Sequence, residues 1–301
     1  MADQPKLDSI KLDPSTRSVP ELDAILGKVF PILDHGFIRV VDYMGSDAAV
    51  VQAARVSYGI GTKSVSDDAA LIRYLLRHAH TTPFEMCEIK LHVKMPIFVA
   101  RQWIRHRTAN VNEYSGRYSI IDKDYYVPAA DTVATQSSTN RQGRGNKLDT
   151  EVVEHFLNAI RSDSEHAYNR YLEFLNGDTA TSSNSIAREL ARIGLGVNFY
   201  TQWYWKIDLH NFMHFISLRA DEHAQFEIRQ YASKMLELLE TWMPTTYRAF
   251  LDYRLNSATF SAPALKVLRR LIAGEKVSRS TSGLAEREWS ELQAKLGFKI
   301  D

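Results

Sequence analysis

Hydrophobic and polar positions along the chain follow two periods, and each predicts its own kind of element. From Cys87 to Lys94 the alternation is unbroken: Cys87, Ile89, Leu91 and Val93 are apolar and Glu88, Lys90, His92 and Lys94 polar, so a strand with one core face and one wet face is expected. Phe199, Thr201, Trp203, Trp205 and Ile207 mark one face of a second such strand. "FIRVVDYMG" predicts another that leads into a helix over Ala48–Val56, capped by Ser46 or Asp47. Helical spacing appears at Leu71, Ile72, Leu75 and Leu76, behind the capping candidates Asp67 and Asp68. Pro96 suits the first position of a helix, where its missing N–H costs nothing, and that helix would set Arg101 and Arg105 on one face. A long helix is predicted from Asp149 to Asn176, ending at Gly177, and a shorter one, "SIARELARIG", ending at Gly194. Asp208 then caps "LHNFMHFISLRADEHAQFEIRQYA", and the remainder, through "LKVLRRLIAG" and "LAEREWSELQAKLG", is helical. The pattern is α/β with more helix than strand.

Some stretches follow neither period. Residues 1–35, with Pro5, Pro14 and Pro20 among scattered charges, predict a loosely attached N-terminal arm around the short apolar stretch Leu22–Leu26. "TANVNEYSGR" is expected to be a loop. The run "PAADTVATQSSTNRQGRGN", from Pro128 to Asn146, is polar and too long for an ordinary connection. Its part near Gln136–Gly145 is the candidate for a mobile segment over a ligand.

Composition narrows the class. The chain has 301 residues, 45% hydrophobic and 24% charged, enough for a full core. Apolar runs such as "PIFVA" fall far short of the ~20 residues of a membrane span, and the first residues lack the apolar core of a signal peptide, so a cytoplasmic location is expected. A single cysteine, Cys87, excludes an internal disulfide and a zinc site built on several thiolates. Lys and Arg (37) nearly balance Asp and Glu (36), so local charge is more telling than net charge.

Several chemistries can be weighed on these residues. "GIGTKS" at Gly59–Ser64 has Thr62 where a phosphate loop requires Gly. Cys87 faces the apolar side of its strand, where thiols are usually inert. His210 and His214 have the i, i+4 spacing of metal ligands, with Asp208 or His223 as further candidates, but the H-E-x-x-H glutamate is missing. Hydrogen bonding to a ligand and interior packing are the other readings. The segment "RQWIRHRTANVNEYSGRYS" packs four arginines, one histidine and one acid into nineteen positions. Arginine forks, a serine hydroxyl, backbone N–H groups beside Gly116 and a lone Glu113 complement a nucleotide. Trp103, Tyr114 and Tyr118 could instead stack on nucleic-acid bases, although a net charge of +1 argues against a broad basic face. A metal-dependent hydrolase acting on nucleotides and a nucleic-acid-binding protein are therefore the alternatives.

"RHRTANVNEYS" fits R-H-R, seven residues, S, with Arg105, His106, Arg107 and Ser115 at the defining positions. "AARVSYG", "HAHTTPFE", "PIFVARQWIRHR", "NEYSGRYS" and "SLRADEHAQFEIRQYA" accompany it in order, and over roughly residues 36–250 the chain resembles the flavin-dependent thymidylate synthases. The resemblance implies an α/β (α+β-like) fold: a central, mainly antiparallel sheet flanked by helices, with extra C-terminal helices. It divides the chain into an arm (1–35), the synthase domain (36–257) and a helical extension (258–301). It implies conversion of dUMP to dTMP, with methylenetetrahydrofolate as carbon donor, reduced FAD as hydride donor and NADPH as reductant. No enzyme nucleophile is required, and Arg219 stabilises negative charge on the uracil ring. By the same resemblance Gln102, Trp103, Ile104, Arg105, Glu113, Tyr114, Ser115, Gly116, Arg117, Arg192 and Arg219 hold dUMP. Ser57, Thr82, Glu85, Arg105, His106, Arg107, Asn112, Glu113, Asp208, Leu209, His210, His214 and His223 hold FAD. A homotetramer with active sites shared between subunits is implied as well.

Overall fold

A computed structural model describes residues 18–56, 67–138, 143–176 and 185–300. Ser57, the Gly59–Ser64 stretch and most of the N-terminal arm lie outside them. The chain forms two compact units, Met1–Ala249 and Phe250–Asp301.

In the first unit the elements run α1 (Pro20–Asp23), β1 (Phe30–Ile32), β2 (Gly36–Met44), α2 (Asp47–Arg55), α3 (Asp68–Arg77), α4 (Thr82–Glu85), β3 (Glu88–Pro96), α5 (Ile97–Trp103) and β4 (Asn110–Glu113). They continue through β5 (Ala134–Gln136), β6 (Arg144–Lys147), α6 (Thr150–Asn176), α7 (Arg188–Ala191), β7 (Tyr200–Asp208), α8 (Leu209–Arg219), α9 (Phe226–Trp242) and α10 (Pro244–Phe250). Five strands form one sheet in the order β1-β2-β3-β7-β4, every pair antiparallel. The expected class holds, and β7, late in sequence, is inserted between β3 and β4.

Period-two patterning explains the sheet's two faces. Ile89, Leu91, Val93, Trp203, Trp205 and Ile207 are buried and packed beneath α5, α8 and α9. Trp103 of α5 sits at the centre, its ring centroid 5.3 Å from Trp205, 4.7 Å from Phe215 and 5.8 Å from Tyr231. Truncating a buried ring of this size costs about 3–5 kcal/mol. On the opposite face Arg39 donates to His92 Nδ1 (2.7 Å for Nη2), and the other ring nitrogen meets Gln202 Oε1 at 2.9 Å.

Capping follows the sequence in part. Asp67 accepts from Ala69 N (2.9 Å) and Asp208 from Asn211 N (2.9 Å). Ser46 occupies the N-cap of α2 without a side-chain capping bond. The Asp47 carboxylate instead receives Thr245 N (2.8 Å), Thr246 N (2.9 Å) and Thr246 Oγ1 (2.6 Å), capping α10 from a distant part of the chain.

Five expectations are corrected. Pro96 is the last residue of β3, paired with Tyr200 at φ −60° and ψ 145°, and the next two N–H groups bond Phe199 O and Val197 O, so α5 starts at Ile97. α5 also ends at Trp103, leaving Arg105 beyond its C-cap. "SIARELARIG" holds only α7 and one 3-10 turn, Arg192–Gly194. The long helix after Asp208 breaks between α8 and α9, where the Asp221 side chain takes the His223 N–H (2.8 Å) in a local turn that competes with helix. The two polar loops contain strands: β4 pairs with β7, and β5 pairs with β6 in a hairpin whose residues 139–142 lie outside those described.

The second unit contains α11 (Ala262–Ile272), α12 (Arg279–Ser282) and α13 (Glu286–Leu296). Its own small core is built from Ala264, Val267, Val277, Leu284, Trp289 and Leu292.

Candidate active site

The R-H-R segment leaves α5 in a tight turn, His106 N bonding Trp103 O at 2.9 Å. This turn separates the three side chains. Arg105 and Arg107 are exposed, whereas the His106 ring turns inward, 5.4 Å from the ring of Phe215 and 5.6 Å from that of His214. Burial, then the neighbouring His214, hold the His106 pKa below its ordinary value, opposed by a hydrogen bond with the Asn211 backbone. A neutral ring results, able to donate from one nitrogen and accept on the other. Thr108 Oγ1 lies 3.1 Å from its Nε2.

The signature loop is built on β4, whose Glu113 stands opposite Trp203. Thr201 Oγ1 donates to Glu113 Oε1 at 2.7 Å, and Tyr114 N to Gln202 O at 2.8 Å, so β7 holds the loop from two sides. Beyond it the chain closes on itself. Ser115 O accepts from Tyr118 N and Ser119 N (3.1 Å each), and Ser115 Oγ from Arg117 N (3.3 Å). A Cβ at Gly116 would stand 2.8 Å from Ile121 Cδ1 and 3.3 Å from Arg192 Nη1, so the glycine gives both side chains room to lie close to this backbone. Arg117 Nε is held by Glu189 Oε2 at 3.1 Å. Arg192, Ser115 and Arg117 thus gather around Gly116.

α8 delivers the third group. Asp208 is spent on Asn211, accepting from its N–H and side-chain amide (2.7 Å to Oδ2). His210 is half-buried and His214 exposed. Arg219 ends the helix close enough to His106 to depress its pKa. The Arg219 Nε and the Gln102 Oε1 are buried with no hydrogen-bond partner among the described residues. Burial also lowers the Arg219 pKa from its ordinary value. Such unsatisfied polar atoms are rare in finished interiors and call for a ligand or water.

Other predicted residues are distributed around this centre. α4, carrying Glu85, packs on α8. Thr82 lines a cavity of about 640 Å3 with Ala53, Val56, His80 and Met86. Trp103 and Leu209 are fully buried, main chain included, so Trp103 cannot stack on a base. Ile104 and Asn112 are exposed. His223 stands apart, paired with Asp221 at 2.9 Å, and lines a cavity of about 620 Å3 with Gln136, Arg144 and Arg229. Among the described residues no group of three His, Cys, Asp or Glu could hold a metal ion. A cavity of about 950 Å3 bounded by His35, Lys123, Arg161 and Phe226 is lined by none of the predicted residues.

Sequence reasoning missed Thr201, Glu189 and Asn211. Thr201 had a signal, a lone hydroxyl among the aromatic positions of an inward face. Asn211 stands three residues after the predicted cap Asp208, where a capping partner is expected, whereas Glu189 acts through a contact between distant segments and had no signal.

The profile of a family described as "Thymidylate synthase complementing protein" matches residues 39–245. The chain is 60% identical over 282 residues to a flavin-dependent thymidylate synthase of Gluconobacter oxydans, covering 94% of this chain and 92% of that one. It is 56% identical over 285 residues to one of Ruegeria pomeroyi, covering 94% and 93%. Among solved structures it is similar to a UMP/dUMP methylase, PolB from Streptomyces cacaoi bound with 5-Br UMP, with TM-score 0.65 and 32% identity over 74% of this chain and 97% of that one. With the signature arginines and His106 in the turn that follows α5, and Ser115 in the loop that follows β4, these likenesses establish that the chain belongs to the flavin-dependent thymidylate synthase family.

Proposed function

We propose that the chain converts dUMP to dTMP by reductive methylation, taking the carbon from methylenetetrahydrofolate. The observation that carries this reading is Arg219, whose Nε is buried and unpartnered beside the His106 ring. A guanidinium held this way meets negative charge developing on a uracil ring without having to reorganise. Arg192 and Arg117, gathered at Gly116, supply charge for the nucleotide phosphate, and Ser115 and the backbone around it add donors. Gln102, Ile104, Arg105 and Tyr114 complete the dUMP set, with the buried Trp103 behind them.

The residues present also suit FAD. Arg105 and Arg107 are exposed cations, His106 is a neutral donor and acceptor, and His210, His214, Asn112 and Glu113 add polar groups around them. Thr82, Glu85, Asp208, Leu209 and His223 are proposed for the same cofactor, together with Ser57. When bound and reduced, for which NADPH is the proposed reductant, FAD supplies the hydride. Cys87 takes no part: its thiol is buried, and its pKa is pushed up to about 12. Glu113 spends one carboxylate oxygen on Thr201 and keeps the other for ligand.

A homotetramer with shared sites fits the exposure of Tyr118 (77%), Ile193 (80%) and Val197 (62%). No helix among the described residues is long and apolar enough to cross a membrane, and a cytoplasmic location is proposed with that. Purified protein should be yellow, oxidise NADPH and form dTMP. Arg219→Ala should abolish dTMP formation while retaining flavin, and near-normal turnover in that variant would remove the proposed role. A colourless, chelator-sensitive protein would favour the metal-hydrolase reading. Retention on DNA or RNA that falls steeply with salt would favour the nucleic-acid reading.

A further inference from the structure

The β5–β6 hairpin is fastened to the start of α9 by one ion pair. Glu227, in the first turn of α9, is 2% exposed. Its Oε1 accepts from Tyr126 OH (3.0 Å) and from Arg144 Nη2, and its Oε2 from Gln225 Nε2 (2.9 Å). Arg144 is its paired cation among the described residues. A carboxylate this deep is tolerated only when its lone pairs are met and its charge is balanced. Arg144 does more than balance it. Its Nη1 donates to Thr132 O (2.9 Å), where the chain enters the hairpin, and its guanidinium lies over the Phe226 ring at 5.0 Å. Arg229 approaches the same ring at 6.0 Å and donates to Glu222 O at 2.7 Å.

These contacts converge on the turn between α8 and α9. Arg219 is the last residue of α8, and Glu227 is the first buried anchor after it. Between them the turn is held by short-range bonds, Ala224 N to Asp221 O (2.9 Å) and His223 N to Asp221 Oδ1 (2.8 Å). Resting on the thymidylate synthase reading above, we propose that Arg144 is a positioning residue: paired with Glu227, it fixes the 220–226 turn and through it the angle at which Arg219 meets substrate. Arg144 touches none of the phosphate-binding candidates, so its loss should separate turnover from nucleotide binding.

The test uses the flavin-loaded enzyme and the variants Arg144→Ala, Arg144→Lys, Glu227→Gln and the double variant R144A/E227Q. Arg144→Ala should lower kcat roughly ten- to a hundredfold, the scale of a misplaced catalytic group, while the equilibrium Kd for dUMP stays within about twofold. Amide hydrogen exchange should quicken across residues 220–226 and stay unchanged in β3 and β7. Arg144→Lys should recover part of kcat, and adding Glu227→Gln to Arg144→Ala should cost little more, because both changes break one interaction. Unchanged kcat in Arg144→Ala would overturn the proposal. So would exchange that quickens equally throughout the sheet, which would make the pair a general brace. If the wild type itself formed no dTMP, the functional reading would fail, while local exchange would still report whether Arg144 holds the turn.

Discussion

Glu113 and Thr201 are joined by a 2.7 Å hydrogen bond, Thr201 Oγ1 donating to Glu113 Oε1. The bond ties the one acid of the signature loop to an inward position of β7, where Thr201 is 7% exposed. Thr201→Val keeps the shape and removes the donor. A hydrogen bond to a charged group contributes about 1.5–3 kcal/mol, so kcat/KM for dUMP should fall about tenfold or more with flavin content unchanged. Steady-state kinetics with the flavin absorbance measured alongside would check it.

Gly116→Ala places a methyl group against Ile121 and Arg192. Ile121 Cδ1, at 2.8 Å, must turn aside, and Arg192 Nη1, at 3.3 Å, must give by a few tenths of an ångström. KM for dUMP should rise by about tenfold, the scale of one charge-assisted contact, with kcat at saturation much less affected. An equal fall in kcat with KM unchanged would argue that Arg192 is not a phosphate ligand.

Cys87 offers a control on mechanism. Its Sγ would lie 2.5 Å from a Cβ at Gly45, a position with φ +94°, so the thiol fills the space that this glycine leaves open. With its pKa at about 12 the thiolate is scarce near neutrality. Cys87→Ala should keep dTMP formation within about twofold and lower stability by about 1 kcal/mol, the scale of a small core truncation. Iodoacetamide should leave turnover intact, and rapid inactivation by it would contradict the mechanism.

His106 makes the protein sensitive to acid. Its pKa lies below the ordinary value of about 6.5, so between the folded and ordinary values the unfolded chain binds more protons. Stability therefore rises with pH across that window and is lost as acid protonates the folded ring. His92 is displaced in the same direction, so the midpoint must be read on the His106 ring itself by NMR. His214→Asn removes a like-charged neighbour and should move the His106 midpoint up; a midpoint that stays put would mean that His214 has no part in setting it.

How much of this was legible in the sequence depended on whether a residue's role follows from its own chain neighbours. β3 and β7 were clear because Ile89, Leu91, Trp203 and Trp205 alternate with polar residues. β4 was not: all four of its residues are exposed, so no period distinguishes it from a loop. Pro96 satisfies the local rule for a helix start, but pairing with Tyr200 extends the strand through it. Asp47 looked like the cap of its own helix and caps a partner almost two hundred positions away. In the site, the signature marked Arg105, His106, Arg107 and Ser115, but not that the histidine turns inward between two outward arginines. The Arg144–Glu227 pair was equally hidden, since the polar run around Arg144 carries no trace of its destination.

The placement of β4 at the rim of the sheet, with β7 as its partner along one edge, has a thermal consequence. Four solvated residues peel away more readily than the Trp103–Trp205 core melts. Activity on warming should therefore be lost before cooperative unfolding, and the temperature ceiling of the enzyme belongs to that short rim. Hardening the aromatic centre would raise the melting temperature and leave the working range where it was.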